Sequence, residues 1–371
     1  MRVSASGDKY ILGIILTLLA TGLVMVYSSS HIYAYERFHD SNYFLKKSLI
    51  AISVSLVFFI FFANFPYQKL RNYSIPLFAF SLFTLAAIFI FPSFAPRIGG
   101  ATRWIRLLGP IQFQPSEVSK LAIILYLAAL FSKKKTAPVD YLHACGVVGI
   151  TCLLILKEPN FSTAFLLGML AMIIIFFNGL SLSIFTGSLL LIGVVAFHHM
   201  RTAAYRWQRI TGFLDPWQDP YGSGYHIIHS LIAIGSGGWF GVGLGNSLQK
   251  FNYLPDPFTD FIFSIISEEL GFVGAGMLVL LYVLLMHRMI RIIIAIKDKF
   301  AFLLLIGIMN TLLLQVLINI GVTVRLFPTT GVTLPFISFG GSSLVINMVM
   351  LGIIYNISKN IDHQGQSREE Q

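Results

Sequence analysis

The hydrophobic positions of this chain fall into ten apolar runs that polar stretches separate. The runs lie at about residues 10–28, 48–65, 75–93, 118–132, 143–156, 162–178, 181–198, 261–287, 299–324 and 334–356. A helix needs roughly 20 apolar residues to cross a bilayer, and most of the runs approach that length. Strands of a membrane β-barrel would instead alternate polar and apolar residues over about 10 positions. The pattern predicts an all-α, polytopic membrane protein with about ten transmembrane helices, built from residues 1–371 as a single membrane domain.

Composition points to the same class of protein. Of the 371 residues, 56% are hydrophobic and only 11% are charged, whereas a soluble domain carries about 25% charged residues. A water-soluble globule cannot cover this much apolar surface, so soluble, disordered and fibrous classes are excluded. The first run resembles a signal peptide, but it is too long for a signal h-region and lacks an A-x-A cleavage site. We therefore expect an uncleaved first span.

The positive charge of the chain predicts its orientation. The formal net charge is +10, but the basic residues flank apolar runs, where they meet lipid headgroups, so no nucleic-acid partner is expected. The densest basic clusters are 133–135 and 288–299. They predict that both termini lie on the inner side of the membrane. A large extracytoplasmic loop, about 199–260, then joins spans seven and eight, and the tail, about 361–371, is expected to be disordered.

Charged side chains mark the two stretches expected on the outer side. Glu117 and Lys120 lie three residues apart at the start of the fourth span, where they predict either a structural ion pair or a cation for a lipid headgroup. Arg103 and Trp104 belong to the segment 102–108, which predicts a short amphipathic helix with its apolar side in the interface.

The long loop carries further candidate residues. Arg206 and Arg209 precede a glycine-rich stretch whose backbone N–H groups could bind phosphate. His226 and His229 are three residues apart, and two histidines alone are weak evidence for a metal site. No metal ligands are assigned from the sequence.

A polar stripe enters the eighth span. Asp260, Ser264 and Glu268 recur every four residues at the outer end of an apolar helix. Carboxylates at membrane depth are costly, so they indicate function unless a basic residue neutralises them. The ninth span carries a similar polar row that is typical of helix–helix packing. Its members are Thr311, Gln315, Asn319 and Thr323.

Four longer segments make the chain similar to a known family. They are GATRWIRLLGPIQFQPSEVSKLA, FLDPWQDPYGSGYHIIHSLIAIGSGGWFGVGLGNS, YLPDPFTDFIFSIISEELGFVG and PTTGVTLPFISFGGSS. In this order, over nearly the whole chain, they resemble the FtsW/RodA/SpoVE (SEDS) family of peptidoglycan glycosyltransferases. MVYSSS, GVGLGNSLQK and GVTLPFISFGGSS are most similar to the FtsW division branch, whereas GYHIIHSLIAIGSGG is also similar to RodA.

The resemblance implies an enzyme that polymerises lipid II at the outer face of the cytoplasmic membrane and releases undecaprenyl diphosphate. The implied partners are lipid II, the growing glycan strand, membrane lipid, a class B penicillin-binding protein that crosslinks the strands, and divisome membrane proteins. FtsW-like segments favour septal synthesis in cell division, with a RodA-type elongation polymerase as an alternative. A divalent cation, Mg²⁺ or Mn²⁺, is the one cofactor considered.

The resemblance also assigns residues. It places the family's essential aspartate at Asp260, the tryptophan of its RW motif at Trp104, and the acid and lysine of its QPSE-x-x-K motif at Glu117 and Lys120. We expect Asp260 to be the catalytic base that accepts the proton of a sugar hydroxyl. Cationic side chains would then stabilise the diphosphate leaving group. The expected substrate-binding residues are Lys120, Glu117, Trp104, Arg103, Arg206, Arg209, Glu268 and Ser338.

Three positions depart from the family pattern. Phe258 stands where the family often has His, and Asn160 replaces the acid of the QPD-x-GT motif. Arg325 stands where a small residue is common, and it predicts an extra outer cation. Two other functions remain open: a lipid II flippase or other transporter, whose path Lys120 and Glu268 would line, and a structural scaffold for the divisome.

Overall fold

The computed structural model describes residues 7–98, 101–108, 111–133, 136–202, 204–251 and 253–369. Their helices are, in chain order, α1 Lys9–Phe38, α2 Tyr43–Asn64, α3 Tyr67–Ile90, α4 Pro115–Phe131, α5 Pro138–Lys157, α6 Phe161–Phe177, α7 Leu182–Arg201, α8 Ala204–Leu214, α9 Tyr225–Ser236, α10 Ile262–Ala295, α11 Lys299–Thr323 and α12 Gly341–Glu369. Short 3₁₀ turns occupy Pro92–Phe94 and Pro216–Gln218. The strands are β1 Arg97–Ile98, β2 Ala101–Thr102, β3 Ile105–Leu108 and β4 Ile111–Phe113.

Ten of these helices coincide with the ten predicted spans. Seven of them, α1, α2, α3, α5, α10, α11 and α12, are long and apolar enough to cross a membrane, and α6 and α7 are shorter apolar helices. The all-α, polytopic membrane prediction is therefore confirmed. α11 and α12 are the most buried of the long helices, whereas α2 and α5 are the least buried. This arrangement is typical of central helices surrounded by lipid-facing ones.

Two polar contacts join antiparallel helices α1 and α10 near opposite ends of the bundle. At one end, Arg288 Nη2 lies 2.6 Å from Asp8 Oδ2; we call this pair the terminal clamp, because Ser358 near the end of α12 also bonds the Asp8 backbone. At the other end, Ser28 donates to Glu269 Oε1 and Oε2 at 2.8 and 2.6 Å. The rise of an α-helix separates the two contacts by roughly 30 Å. That separation equals the thickness of a typical hydrocarbon core.

The end of the bundle that contains Glu269 is the site end. There, Lys250 Nζ lies 3.0 Å from Glu269 Oε1, and both side chains are fully buried. Lys250 also donates to the Gly245 carbonyl at 2.6 Å. We call Lys250, Glu269 and Ser28 the site clamp, since together they attach the loop before α10 to α1.

Helix α10 is interrupted at Gly271, which has φ 68° and ψ −169°. The stretch 237–250, called here the glycine segment, lies against the interruption and exchanges backbone hydrogen bonds with it. Val242 and Gly243 donate to the carbonyls of Glu268 and Glu269, at 2.9 and 3.0 Å. In return, the two residues after Gly271 donate to carbonyls of the glycine segment, at 2.9 and 3.1 Å. The freed backbone groups of the broken helix are therefore satisfied by one neighbouring segment.

One part of the sequence interpretation needs correction, and two other stretches contain helices that it did not predict. The segment 102–108 is not a short helix, because β3 pairs antiparallel with β4 and satisfies its backbone groups there. The loop 199–260 contains the helices α8 and α9. Helix α12 continues to Glu369. Of the basic cluster 133–135, only Lys133 belongs to the described residues, and it lies 3.4 Å from Asp140.

The interruption of α10 makes a stability prediction. In Gly271→Ala, the new Cβ would overlap the backbone nitrogens of Gly241 and Phe240, at a positive φ that alanine adopts only with strain. We expect a loss of about 1–3 kcal/mol, measured as a lower unfolding temperature of the purified protein. Gly276→Ala, on the same helix with open space around its Cβ, is the control and should unfold at or above the wild-type temperature. Equal effects of the two changes would contradict the packing described here.

Candidate active site around Asp260

Asp260 lies in the turn that leads into α10, and its backbone is fixed by neighbouring elements. Three consecutive carbonyls of this turn accept hydrogen bonds. Phe258 accepts from the Phe339 backbone at 2.9 Å, Thr259 from Ser338 Oγ at 2.6 Å, and Asp260 from Asn319 Nδ2 at 2.9 Å. The last two donors are side chains of the loop before α12 and of α11. These hydrogen bonds fix the backbone of the turn from which the Asp260 side chain extends.

The Asp260 carboxyl is half-buried and opens toward Gly331. A Cβ built on Gly331 would lie 3.7 Å from Asp260 Oδ2, and Gly331 itself is exposed. Burial and, to a smaller extent, the neighbouring Asp256 carboxylate raise the pKa of Asp260 to about 7, while Arg209 and Arg103 oppose the shift. A carboxyl with a pKa near 7 can both accept and release a proton at neutral pH, as a general base requires.

Arg103 connects the β3–β4 region with the loop between α5 and α6. Its guanidinium donates to the backbone carbonyls of Glu158, at 3.3 Å, and Pro159, at 2.5 Å. The Glu158 side chain is fully buried, and burial raises its pKa to about 8, an effect that Arg103 opposes. The charge of Arg103 therefore acts on two carboxyls, Asp260 and Glu158, from a half-buried position between them and the surface.

The two helices within the stretch 199–260 contribute Arg209, on α8, and His226, on α9, to the site. Arg209, on α8, is exposed and donates to the Thr329 carbonyl at 3.2 Å. The His226 ring, on α9, stacks on Phe261, the residue after Asp260, with centroids 5.7 Å apart. Burial lowers the pKa of His226, and Arg209 adds to this effect while Asp256 opposes it. A neutral imidazole therefore lies beside the turn at neutral pH.

The expected pair Glu117–Lys120 lies inside the bundle. Lys120 Nζ is 2.8 Å from Glu117 Oε2, and both side chains are buried, which confirms that they are neighbours on one helix face. Their helix, α4, packs against α11 and α12. Those two helices contribute buried amide oxygens of Gln315 and Asn347 that have no hydrogen-bond partner among the described residues. The bundle interior therefore holds a set of polar groups that ordered water could satisfy.

The polar stripe of the eighth span does not form one surface. Asp260 precedes α10, and the Ser264 hydroxyl bonds Ser230 of α9 at 2.7 Å. Glu268 is buried and accepts from Ser247 Oγ and, at 2.9 Å, from the Leu248 backbone. The expectation that Glu268 binds substrate is not supported by these contacts, because the glycine segment occupies both of its oxygens.

The remaining expected residues fall into two groups. Ser338, by bonding the Thr259 carbonyl and accepting from the Leu334 backbone at 2.9 Å, positions the turn that carries Asp260. Trp104 is half-buried next to Arg103, and Arg206 is half-buried one helical turn before Arg209 on α8. Their roles as substrate-binding residues stay predictions.

The three departures from the family pattern have local explanations. Phe258 packs against the rings of Tyr33 and Phe44, with centroids 5.6 and 4.5 Å away. Asn160 is the N-cap of α6 and accepts from the Thr163 backbone at 3.4 Å, a role in which Asn and Asp are equivalent.

Arg325, the third departure, does not provide a free outer cation. It adopts a left-handed φ of 59°, and its guanidinium donates to the carbonyls of Phe213 and Leu214 at 3.1 and 2.7 Å. These carbonyls end α8, where cationic side chains are favourable. Arg325 therefore secures the helix that carries Arg206 and Arg209.

Residues that the sequence interpretation missed surround Asp260. Among the described residues, no group of three or more His, Cys, Asp or Glu side chains could hold a metal ion. A Mg²⁺ ion would thus rely on one or two carboxylates together with phosphate oxygens, which is its usual mode of binding. The missed residues are Gly331, whose lack of a side chain leaves the carboxyl open, Asn319, which had been assigned to helix packing, and His226, which had been considered only as weak evidence for a metal site. They are recognised only in the folded structure, where segments that are far apart in the chain lie close together.

Comparison with known proteins identifies the family. A match to the FTSW_RODA_SPOVE family, described as cell cycle protein, covers residues 9–363. The chain belongs to the FtsW/RodA/SpoVE family. Within the family, it is 40% identical over 360 residues to stage V sporulation protein E of Bacillus subtilis (strain 168), covering 95% of this chain and 97% of that protein. It is 39% identical over 361 residues to the probable peptidoglycan glycosyltransferase FtsW of Trichlorobacter lovleyi, covering 96% and 94% of the two chains.

Solved structures of FtsW/RodA/SpoVE relatives share this fold. One comes from a study of the structural coordination of polymerization and crosslinking by a peptidoglycan synthase complex. It matches with a TM-score of 0.80 at 28% identity, over 96% of this chain and 98% of that chain. The rod shape determining protein RodA of Thermus thermophilus matches with a TM-score of 0.71 at 26% identity, over 96% and 97%. The arrangement of helices is therefore that of the family.

The raised pKa of Asp260 makes the stability of the protein depend on pH. The folded protein keeps a proton that the unfolded chain releases above about pH 4, so this carboxyl destabilises the fold as pH rises toward 7. We expect Asp260→Asn to be more stable than wild type at pH 8, by about 1–4 kcal/mol, and equally stable near pH 4. Thermal unfolding across this pH range measures the difference.

The control for that experiment is Asp40, whose pKa is lowered by its hydrogen bond with Lys46. Asp40→Asn should lose a little stability at neutral pH rather than gain it, because the ionised form is the favoured one there. A stability gap between wild type and Asp260→Asn that does not vary with pH would contradict the raised pKa.

Proposed function

We propose that this chain is a peptidoglycan glycosyltransferase that polymerises lipid II into glycan strands. The observation that carries the proposal is the Asp260 carboxyl, open at Gly331, with its pKa near 7, in a turn whose three consecutive carbonyls each accept a hydrogen bond. Relatives that are 39% identical or less over more than nine tenths of the chain carry the name probable peptidoglycan glycosyltransferase FtsW. Their names support the assignment of this chemistry.

The proposed reaction is an inverting displacement at the anomeric carbon of the donor. Asp260 accepts the proton of the acceptor sugar hydroxyl, while the oxygen of that hydroxyl forms the new glycosidic bond. The bond from the anomeric carbon to the phosphate oxygen breaks, and the electron pair leaves with undecaprenyl diphosphate. Arg209 and Arg103, which act electrostatically on Asp260, and Arg206 on α8 supply the positive charge that a diphosphate leaving group needs.

Lys120 has a different place in this proposal. Its ammonium group is paired with Glu117 inside the bundle, so it would act on a substrate only where the substrate reaches the bundle interior. A divalent cation, bound mainly through the phosphate oxygens, would add positive charge at the diphosphate. Asp256 and Asp260 interact electrostatically.

We further propose that the site end faces the extracytoplasmic side of the cytoplasmic membrane. Asp8 at the start of α1 and Ser358 of α12 are hydrogen-bonded at the same end of the bundle, which agrees with two termini on one side of the membrane. The proposed partner is a class B penicillin-binding protein, since a structural neighbour belongs to a peptidoglycan synthase complex. Septal synthesis is the proposed role, with RodA-type elongation and sporulation as alternatives, because relatives with those names are also similar.

One observation favours a second function, transport of lipid II. The pair Glu117–Lys120 and the unpartnered amide oxygens of Gln315 and Asn347 lie inside the bundle, where a polar headgroup would pass. A liposome assay separates the two functions. Movement of labelled lipid II between leaflets without glycan synthesis would favour transport.

Two substitutions in one turn test the proposed reaction. With labelled lipid II and the co-purified penicillin-binding protein, we expect Asp260→Asn to lower the polymerisation rate by about 10²–10⁴-fold, because the base is lost. Wild-type activity should rise with pH through a midpoint near 7. Asp256→Asn should retain activity and shift the midpoint to lower pH, since Asp256 contributes to the raised pKa of Asp260.

Undiminished polymerisation by Asp260→Asn would contradict this mechanism. The pair also separates chemistry from folding, because both substitutions remove one carboxylate from the same turn. If both variants lose most of their activity, and the pH midpoint of the remaining activity does not shift, the effect belongs to the structure of the turn instead.

A further inference from the structure

We infer that the glycine segment, 237–250, lies in the lipid–water interface at the site end, with its exposed aromatic and aliphatic side chains in contact with membrane lipid. Sequence alone places this segment in an extracytoplasmic loop, which would leave those side chains in water. The inference concerns lipid of the bilayer and does not depend on the proposed glycosyltransferase reaction.

The first observation is the depth of the segment along α10. The segment contacts α10 at Gly271, and Arg288 of the terminal clamp follows 17 residues later. At about 1.5 Å per residue this distance is roughly 25 Å, close to the thickness of a hydrocarbon core. With Arg288 at one boundary of the core, Gly271 and the glycine segment lie near the other.

Burial along α10 agrees with this depth. The part of the helix before Gly271, Ile262–Leu270, is enclosed by protein, and its side chains are buried with the single exception of half-buried Leu270. Exposed apolar side chains begin directly after Gly271, with Phe272 and Val273, and continue through Met277. The lipid-facing surface of α10 therefore starts at the level of the glycine segment.

The glycine segment continues that lipid-facing surface. Its largest side chains are exposed, Trp239 at 68% and Phe240 at 83%, and the Trp239 ring contacts Phe272 edge-on with centroids 5.2 Å apart. Leu244 and Leu248 are exposed as well. Aromatic side chains of this kind favour the boundary between headgroups and acyl chains.

A groove between the glycine segment and α1 fits an acyl chain. It has a volume of about 290 Å³, and apolar side chains line it almost throughout. The lining residues are Ala20, Thr21, Val24, Met25, Leu244 and Leu270. The one hydroxyl among them, Thr21, already donates to the Thr17 carbonyl at 2.9 Å. By helical rise, the α1 residues of the groove lie within the hydrocarbon core rather than above it.

The backbone and the charge of the segment are compatible with this location. Irregular backbone is tolerated at the edge of a bilayer only where its polar groups have partners. Here the broken helix supplies them, through the hydrogen bonds of Val242 and Gly243 to Glu268 and Glu269. The one charged side chain of the segment, Lys250, is buried in the site clamp, so no charge lies among the exposed apolar side chains.

Fluorescence quenching by brominated lipid tests the inference. The full chain, with Trp104, Trp207 and Trp217 replaced by Phe, is placed as single copies in nanodiscs of phosphatidylcholine with or without dibrominated acyl chains. We expect bromination to lower the emission of Trp239 at least about twofold, because its indole contacts acyl chains. Two further reporters, built in a background that also lacks Trp239, set the scale: Met277→Trp on the lipid face of α10 and Tyr35→Trp beyond the site clamp on α1.

Quenching of Trp239 similar to that of the Met277→Trp reporter supports the inference. Quenching as weak as that of Tyr35→Trp overturns it, whether water, a partner protein or another part of the chain covers the indole. If the triple replacement does not fold, Trp239→Phe in the otherwise native chain serves instead. It should remove most of the lipid-quenchable emission, and an unchanged quenchable fraction overturns the inference.

Discussion

The break of α10 at Gly271 is the constraint on which the rest of the site end depends. A helix interrupted inside a membrane protein must find partners for its freed N–H and C=O groups, since each unsatisfied group costs several kcal/mol in hydrocarbon. The glycine segment provides them, and it approaches closely only because Gly241 and Gly271 have no side chains where the two backbones meet. This pairing determines where the chain leaves α9 and where it enters the turn of Asp260.

Polar contacts then fix the position of the site next to the paired backbones of the glycine segment and α10. Lys250 and Glu269 form an ion pair without solvent exposure, and breaking such a pair costs about 3–5 kcal/mol because one charge is left buried. Beyond the pair, the carbonyls of the Asp260 turn are held by α11 and by the loop before α12. The carboxyl that results is positioned by the fold while staying open on the side of Gly331.

The pattern of apolar runs predicted the positions of ten helices, seven of which are long and apolar enough to cross a membrane, because the length and composition of a span follow from the bilayer alone. It failed in the two polar stretches, where no such external constraint acts. The segment 102–108 forms strands because β4 returns beside it, and pairing between strands cannot be deduced from one short run. For the site, residue type and motif identified Asp260, Arg103 and Arg209. They did not identify Asn319 or Gly331, whose importance arises from proximity across 59 and 71 residues of chain to Asp260.

The three departures from the family pattern show how a site tolerates change outside its chemistry. Phe258 belongs to an aromatic cluster, Asn160 caps a helix with an amide where the family has an acid, and Arg325 binds the last carbonyls of α8. Each residue acts on neighbouring protein groups, and none of the three contacts the Asp260 carboxyl. The groups that set the charge at that carboxyl are Asp256, Arg209 and Arg103. In the proposed mechanism, proton transfer is therefore governed by these residues and by the burial of Asp260, and not by a histidine at position 258 or a carboxylate at position 160.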